Sequence, residues 1–243
     1  MTELKTNNIH NDNISLEKES HTYILDENPD LSFISVTTFI SQFFEKFDSL
    51  KIATKLVSKV PKYKHMTVDE LLLKWRGASD HGTKVHNEIE EYIINKKYPD
   101  ETKAIQGINW LDKHVFLEKH ELYSEKIIYS TDLKIAGSVD LIIKNTEKNE
   151  YTLIDWKTND KIPTNSYDKK RGIHPLTSDI EDCKFNLYSL QLSLYRFILE
   201  NYYNMKINRQ LIVHLKEDKV LAYMSHYYED HIRKLTEHRV NTI

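Results

Sequence analysis

Apolar residues recur along the chain with two different periods, and the change between them divides the sequence into segments. A period of three to four residues indicates amphipathic helices, whereas a period of two indicates half-buried strands. The helical period predicts helices over residues 37–47, 49–59, 67–75, 83–95, 102–119 and 185–203, and from about Glu229 onward. Thr37 or Thr38 is the expected cap of the first helix, and Gly77 and Gly82 are expected to interrupt the helical run after residue 75.

The period of two appears in the middle of the chain and predicts a three-stranded meander. β-Branched and aromatic residues dominate its strands at residues 123–130, 134–144 and 151–158. The same pattern predicts a hairpin over residues 210–226 and two short strands within residues 21–34. Residues 1–20 are polar and without a period, which predicts a flexible arm. This order of elements predicts an α/β (α+β) domain over residues 21–243, with a small central mixed sheet flanked by helices.

Composition narrows the class of protein. A chain of 243 residues that is 40% hydrophobic is long enough to fold around its own core without metal or disulfide staples. Its formal net charge of −3 provides no global basic field, so a site for a polyanion has to be a local patch. The single cysteine, Cys183, excludes an internal disulfide and a four-cysteine zinc or iron–sulfur site, and we expect an intracellular protein. No apolar run is long enough to predict a membrane span, and the polar N-terminal residues predict no signal peptide.

Two of the predicted central strands carry charged residues where a core strand should be apolar. Asp140 lies within the first of them, and Asp155 and Lys157 lie within the second. Burying a charge costs several kcal/mol unless it is paired or bound to a metal. Asp155 and Lys157 share a face of their strand, and the hairpin between the strands can bring Asp140 beside Asp155. Two carboxylates and an ammonium at one point form a site for a hard divalent cation, Mg²⁺ or Mn²⁺, and a phosphate. The alternative is a buried salt bridge that braces the sheet.

Five motifs in order resemble those of the PD-(D/E)XK nuclease superfamily in its RecB-like branch. They are, along the chain, Ser35–Thr38, Gly82–His86, Ala136–Asp140, Leu153–Thr158 and Gln191–Tyr195. The first of them and the Asp-Trp-Lys-Thr sequence are similar to those of the mitochondrial genome maintenance exonucleases and their phage and viral relatives. The resemblance spans about residues 20–215.

The resemblance implies a restriction-endonuclease-like fold in which residues 37–120 form a helical part and residues 121–215 a catalytic core. It implies a deoxyribonuclease that uses one or two Mg²⁺ or Mn²⁺ ions and no iron–sulfur cluster. An exonuclease acting on single-stranded DNA ends in repair, recombination or replication is the expected activity. The expected location is the cytoplasm or another DNA-containing compartment, and a phage or viral origin fits the same relatives. A structure-specific endonuclease and a non-catalytic nucleic-acid-binding module remain the alternatives.

The resemblance also implies roles for individual residues. Asp140 and Asp155 are expected to bind the metal together with the Trp156 carbonyl and His86, and Lys157 is expected to orient the nucleophile or offset charge on the phosphate. His86 is preferred over the nearby His81 because it follows Gly82 at the spacing of the family.

Four further residues are expected to support the site, each with an alternative. Glu90 lies one helical turn after His86 and either holds the imidazole or is a solvated acid. Glu125 either helps to bind metal or water or is an edge-strand charge. Gln191 and Tyr195 share a helical face and either support the lysine, contact the DNA backbone or form a polar seam beside the core.

Two basic segments are candidate DNA-binding surfaces. Lys51, Lys55 and Lys59 form a stripe on one predicted helix, and the long loop over residues 159–184 carries Lys169, Lys170 and Arg171. The alternative for both is a solvated charged face. Tyr63, Trp156 and Tyr167 are candidate stacking partners for unpaired bases.

Overall fold

The computed structural model describes residues 7–242 and contains a mixed sheet between two layers of helices. The strands are β1 (Ile14–Glu17), β2 (Thr22–Leu25), β3 (Ile34–Ser35), β4 (His120–Ser130), β5 (Ile135–Asn145), β6 (Glu150–Lys157), β7 (Ile207–Leu215) and β8 (Val220–Met224). The helices are α1 (Val36–Ser41), α2 (Ser49–Lys59), α3 (Val68–Asn95), α4 (Thr102–His114), α5 (Lys184–Tyr202) and α6 (Glu229–Val240).

Strand β5 is the centre of the sheet and has a divided edge. On one side it pairs antiparallel with β4 from Ile135 to Asn145, with an interruption at Asp140, opposite Glu125. On the other side its first residues pair parallel with β3, and its last residues, from Leu141 onward, pair antiparallel with β6. Strand β7 adds parallel to β6, and β8 adds antiparallel to β7. Within the described chain, residues 137–140 therefore have no strand partner on the second edge, which leaves a gap where side chains can converge.

The two faces of the sheet are covered by different helices. One cluster of buried residues joins α1, α5 and α6 to the sheet, with Phe39, Leu190 and Leu235 among its members. A second cluster joins α3 and α4 to the opposite face, around Ile89 and Trp156. The arrangement confirms the prediction of a central mixed sheet flanked by helices.

Local sequence explains where the main helices begin. The Ser35 hydroxyl accepts a hydrogen bond from the Thr38 backbone N–H and caps α1, so the cap is Ser35 and not Thr37 or Thr38. The Thr67 and Glu70 side chains form a capping box that begins α3. Helix α3 then continues through both of its glycines to Asn95, and the predicted interruption is wrong.

The structure corrects several predicted boundaries. Helix α1 ends at Ser41, and α4 ends at His114 rather than near residue 119. Strand β2 pairs with β1 and not with the residues near Ile34. The predicted flexible arm is wrong for residues 7–20, because Ile9 and Ile14 are buried and β1 is part of a hairpin. The first six residues of that arm lie outside the described residues.

In the part of the chain that the structure describes, no helix combines the length and the apolar composition that crossing a membrane requires.

Candidate active site

The site lies at the gap in the edge of β5, where β6 joins the sheet. Leu141 of β5 is opposite Ile154 of β6, which places Asp140 next to Asp155 in the pairing order. The backbone N–H of Trp156 donates a hydrogen bond of 2.7 Å to Asp140 Oδ2. The pairing of the two strands thus fixes the Asp140 carboxylate at the boundary of the gap, as the spacing of the two motifs predicted.

Helix α3 brings His86 to the same point from the opposite side. The His86 Nδ1 atom lies 3.6 Å from Asp140 Oδ2 and 3.7 Å from Glu125 Oε1. Its Nε2 atom lies 3.1 Å from the carbonyl oxygen of Trp156. The competing residue, His81, pairs instead with Glu101 at 2.9 Å. The structure therefore brings His86, and not His81, to the carboxylates.

Glu125 reaches the site from β4 through an unfavourable backbone conformation. It faces Asp140 across the β4–β5 pair, yet its φ angle is 47°, in the left-handed region that non-glycine residues rarely adopt. The Ser138 hydroxyl donates a hydrogen bond of 3.0 Å to Glu125 Oε2. Such a conformation costs about 1–3 kcal/mol and persists only where the surroundings enforce it.

Burial and mutual charge shift the pKa values of the converging groups. Burial raises the pKa of Asp140 to about 7, and neighbouring Asp155 adds to the increase although His86 opposes it. Burial alone would lower the pKa of His86, but the charges of Asp140 and Glu125 outweigh it and raise the pKa to about 9. The protonation of Asp140 and that of His86 thus depend on each other.

Asp155 and Lys157 form a buried pair beside this cluster. The Asp155 side chain is only 2% exposed, and Lys157 Nζ lies 2.8 Å from its carboxylate. Gln191 Nε2 donates to Asp155 Oδ1 at 3.3 Å and lies 3.4 Å from the Tyr195 hydroxyl. Gln191 thus contacts the acid of the pair rather than the lysine. The Lys157 ammonium donates to Asp155 Oδ1 at 2.8 Å and also lies 2.8 Å from Oδ2.

Tyr188, which the sequence analysis did not identify, holds the other side of the lysine. The Lys157 ammonium lies 4.5 Å from the centroid of the Tyr188 ring, within the range of a cation–π interaction. The Tyr188 hydroxyl donates a hydrogen bond of 2.8 Å to Asn159 Oδ1. In the sequence, only its position one helical turn before Gln191 could have indicated a role in the site. Because aromatic residues at that spacing are common in the core face of a helix, the position is not distinctive.

Other predicted residues lie near the site without joining the cluster. Burial and the charge of Glu125 raise the pKa of Glu90, but among residues 7–242 no hydrogen bond or ion pair joins it to His86, and the predicted support of the imidazole is wrong. The Tyr195 ring is buried against Gly137, where an added Cβ would lie 2.7 Å from the ring. Trp156 is 1% exposed, so its side chain has no surface for a base to stack on.

The predicted basic residues are exposed but differ in their partners. Lys170 pairs with Glu45, and the Arg171 guanidinium donates to the Asp179 carbonyl. No ion pair in the described chain involves the remaining four, Lys51, Lys55, Lys59 and Lys169. Of the six predicted basic residues, these four have no ion-pair partner among residues 7–242.

The donor set fits a hard divalent cation. One nitrogen of His86 and one oxygen each of Glu125 and Asp140 lie within 4.8 Å of one another. The imidazole–carboxylate separations of 3.6 and 3.7 Å are longer than hydrogen bonds, so the three groups converge without satisfying each other. Carboxylate oxygens and an imidazole are suitable ligands for Mg²⁺ or Mn²⁺. Asp155 is not one of these three, and its carboxylate contacts Lys157 and Gln191.

Two solved structures align with most of this chain at low identity. The crystal structure of SSO0001 is 16% identical to this chain, with a TM-score of 0.38. The alignment covers 87% of this chain and 76% of the SSO0001 chain. A candidate exonuclease from Eubacterium rectale shares 10% identity over 86% of this chain and 78% of its own, with a TM-score of 0.36. No curated protein matches the chain.

The family comparison covers the site itself. The sequence profile of the PD-(D/E)XK nuclease superfamily matches residues 50–243, a range that contains both strands of the gap, the helix carrying His86 and the helix carrying Gln191. The mixed sheet flanked by helices is the restriction-endonuclease-like fold of that superfamily. The chain belongs to the PD-(D/E)XK nuclease superfamily and is a metal-dependent nuclease.

Proposed function

We propose that the protein is a Mg²⁺- or Mn²⁺-dependent deoxyribonuclease that removes nucleotides from single-stranded DNA ends. The single observation that carries the nuclease chemistry is the convergence of His86, Glu125 and Asp140 beside the buried pair of Asp155 and Lys157. The preference for ends, and a place in the RecB-like branch beside the mitochondrial genome maintenance exonucleases, derive from the motifs. DNA repair, recombination or replication is the proposed setting.

The proposed metal ligands are His86, Glu125 and Asp140, with Asp155 and the Trp156 carbonyl completing the site. When bound, a divalent cation supplies polarisation of the scissile phosphate and a water of lowered pKa. The chain's own residues hold this geometry: the Trp156 N–H fixes Asp140, the Ser138 hydroxyl fixes Glu125, and Gln191 fixes Asp155.

Lys157 is proposed as the electrostatic catalyst. Burial opposes its charge, but the carboxylates of Asp155 and Asp140 outweigh burial and raise the pKa of the ammonium above its usual value. The lysine is therefore protonated at neutral pH in the metal-free protein. Its role is to orient the nucleophile and to offset charge that develops on the phosphate oxygens.

A single strand is the proposed form of the DNA substrate because the exposed cations form a local patch. The formal net charge of −3 disfavours strong non-specific attraction to a duplex, whereas the α2 stripe of Lys51, Lys55 and Lys59 provides a short line of positive charge. Such a line suits one strand entering the site better than a broad duplex footprint.

A cleavage assay tests the proposal. Labelled linear and closed-circular DNA, each single- and double-stranded, and linear RNA are incubated with Mg²⁺, Mn²⁺ or EDTA. We expect metal-dependent loss of linear single-stranded DNA, abolished by Asp155→Asn and by Lys157→Met. The matched control is Glu217→Gln, which alters the same acid-x-Lys pattern in an exposed turn with 66% side-chain exposure, and it should retain full activity.

Three outcomes would contradict the proposal. Cutting of closed circles would indicate an endonuclease, and preferential loss of RNA would change the substrate class. Binding of DNA without cleavage under every metal condition would indicate a non-catalytic module on a nuclease fold.

A further inference from the structure

Tyr167 presents an aromatic ring to solvent in the loop that follows the catalytic strand. Among the exposed apolar side chains of residues 7–242, it is the most accessible at 79%. It lies in the loop that connects β6 to α5. Aromatic rings normally bury most of their surface, so a ring held in solvent on an ordered loop points to a binding role.

The loop around Tyr167 is fixed in place. The Ser166 N–H donates a hydrogen bond of 2.9 Å to the Glu181 carboxylate, and the Lys170 ammonium pairs with Glu45. Asp168 and Lys169 have φ angles of 59° and 54°, two consecutive left-handed residues that only a well-held loop maintains. These contacts hold the loop in the conformation that exposes the Tyr167 ring.

Helix α2 adds cations to the exposed ring. Lys55 Nζ lies 5.9 Å from the centroid of the Tyr167 ring. Lys51 and Lys59 lie one turn before and after Lys55 on the same exposed helix face. These lysines form no ion pair with the described residues, in contrast to Lys170. The structure thus joins two separately predicted basic segments into one surface of an aromatic ring and free ammonium groups.

This surface is tied to the active site through the same loop. The loop begins directly after Lys157, and the Thr158 and Asp160 carbonyls accept hydrogen bonds of 3.0 Å from Lys103 and Lys216. The loop ends at α5, which carries Gln191. Tyr167 therefore belongs to a loop whose two ends are both attached to elements that carry residues of the site.

We propose that Tyr167 and Lys55 form a stacking platform for an unpaired base of the substrate strand, with Lys51 and Lys59 binding the adjacent phosphates. The platform deepens the proposed nuclease function and rests on it. An unpaired base can place its face on the Tyr167 ring, whereas duplex bases are already stacked on one another. The platform therefore selects single-stranded ends over blunt duplex.

Binding without cleavage tests the platform separately from catalysis. The full chain in EDTA is titrated against a fluorescein-labelled oligothymidylate and against a duplex of equal length, using fluorescence anisotropy. Tyr167→Ala should weaken single-strand binding by about five-fold or more, because stacking contributes about 1–3 kcal/mol per base. Tyr167→Phe should bind like the wild type, and duplex binding should change less than two-fold in either variant. Tyr98→Ala, at another tyrosine that is 61% exposed, is the matched control and should have no effect.

The outcomes separate the two proposals. Unchanged single-strand binding by Tyr167→Ala, or an equal loss for single strand and duplex, overturns the platform even if the wild type cleaves DNA. Loss of binding in Tyr167→Phe also overturns it, since the hydroxyl and not the ring face would then be responsible. A wild type that stacks bases as predicted but never cleaves overturns the nuclease proposal alone.

Discussion

Glu125 combines a strained backbone conformation with a side chain that reaches the candidate site. Its left-handed φ angle in a strand should cost about 1–3 kcal/mol. Its carboxylate converges with the side chains of His86 and Asp140. We predict that Glu125→Gly leaves the metal-free free energy of unfolding unchanged or higher by up to about 1 kcal/mol. The same variant should abolish the increase in Tm that added Mn²⁺ gives the wild type. Urea unfolding in EDTA and thermal unfolding with Mn²⁺ measure the two effects.

The control for this prediction relieves the same backbone strain elsewhere. Lys134 also has a left-handed φ angle of 51° but lies in the turn between β4 and β5. Lys134→Gly should stabilise the fold and retain the full response to Mn²⁺. A strong loss of metal-free stability in Glu125→Gly would mean that the conformation is not strained.

Tyr188 is predicted to position Lys157 through its ring. The ammonium–ring distance of 4.5 Å corresponds to a cation–π interaction of about 1–2 kcal/mol in a partly buried site. Tyr188→Leu should lower kcat about ten-fold with KM changed less than two-fold, whereas Tyr188→Phe should restore kcat to within about three-fold of the wild type. Steady-state kinetics on a single-stranded substrate measure both constants. An equal defect in the Phe variant would assign the effect to the hydrogen bond to Asn159 instead.

The residues of the candidate site differ in how readily the sequence predicts them. Asp140, Asp155 and Lys157 are detectable because a charge in an apolar strand is anomalous. Tyr188 is invisible by the same criterion, because an aromatic residue on an amphipathic helix matches an ordinary core pattern. The charge of Glu125 was noted, but its strained conformation depends on the pairing of β4 with β5.

At the scale of elements, helix α3 carries His86 to the site through two glycines with different surroundings. A Cβ at Gly77 would have no neighbour within 4 Å, whereas a Cβ at Gly82 would lie 3.1 Å from Thr158 Oγ1. Gly77→Ala should stabilise the protein by about 0.5–1 kcal/mol through helix propensity. Gly82→Ala should gain less and lower nuclease activity, because Thr158 at the end of the catalytic strand has to move. Chemical unfolding and the cleavage assay measure the pair, and equal gains with full activity in both variants would contradict the prediction.

Strong local patterns predicted elements well, and tertiary packing decided the rest. Helix α2 was predicted with its observed bounds because its apolar stripe is long and regular. The interruption of α3 was wrong because burial of Leu71, Val85 and Ile89 outweighs the cost of about 1 kcal/mol per glycine. Strand β1 was missed because an alternation of only four residues is too short to be distinctive, and its stability comes from pairing with β2.

At the scale of the whole molecule, a buried histidine makes the free energy of unfolding depend on pH. His214 on β7 is 2% exposed. Its Nε2 atom is hydrogen-bonded to the Asn159 carbonyl, and its Nδ1 atom has no partner among the described residues. Burial lowers the pKa of His214, and Lys216, Lys103 and Lys184 around it act in the same direction.

The sign of this coupling follows from the lowered pKa. The folded protein binds a proton at His214 less readily than the unfolded chain, so stability is present above the ordinary pKa of about 6.5 and is lost as the pH falls below it. We predict that the free energy of unfolding in EDTA decreases less steeply from pH 7 to pH 5 in His214→Gln than in the wild type. Parallel pH profiles from urea unfolding would contradict this.

The architecture was predictable as a class but not in its decisive detail. The order of helices, meander, helix and hairpin predicted the mixed sheet and its helical layers. The divided edge of β5 was not predictable, because β3 has only two residues and its parallel pairing depends on the packing of α1. That division creates the gap at residues 137–140 where the carboxylates meet.

The central claim, that His86, Glu125 and Asp140 converge to hold a catalytic cation, has a direct crystallographic test. Crystals of the wild type soaked in Mn²⁺ would be measured at a wavelength where manganese scatters anomalously. The predicted result is an anomalous peak bounded by these three side chains, absent in Asp140→Asn crystals soaked in the same way. A peak elsewhere in the molecule, or none at saturating Mn²⁺, would contradict the account.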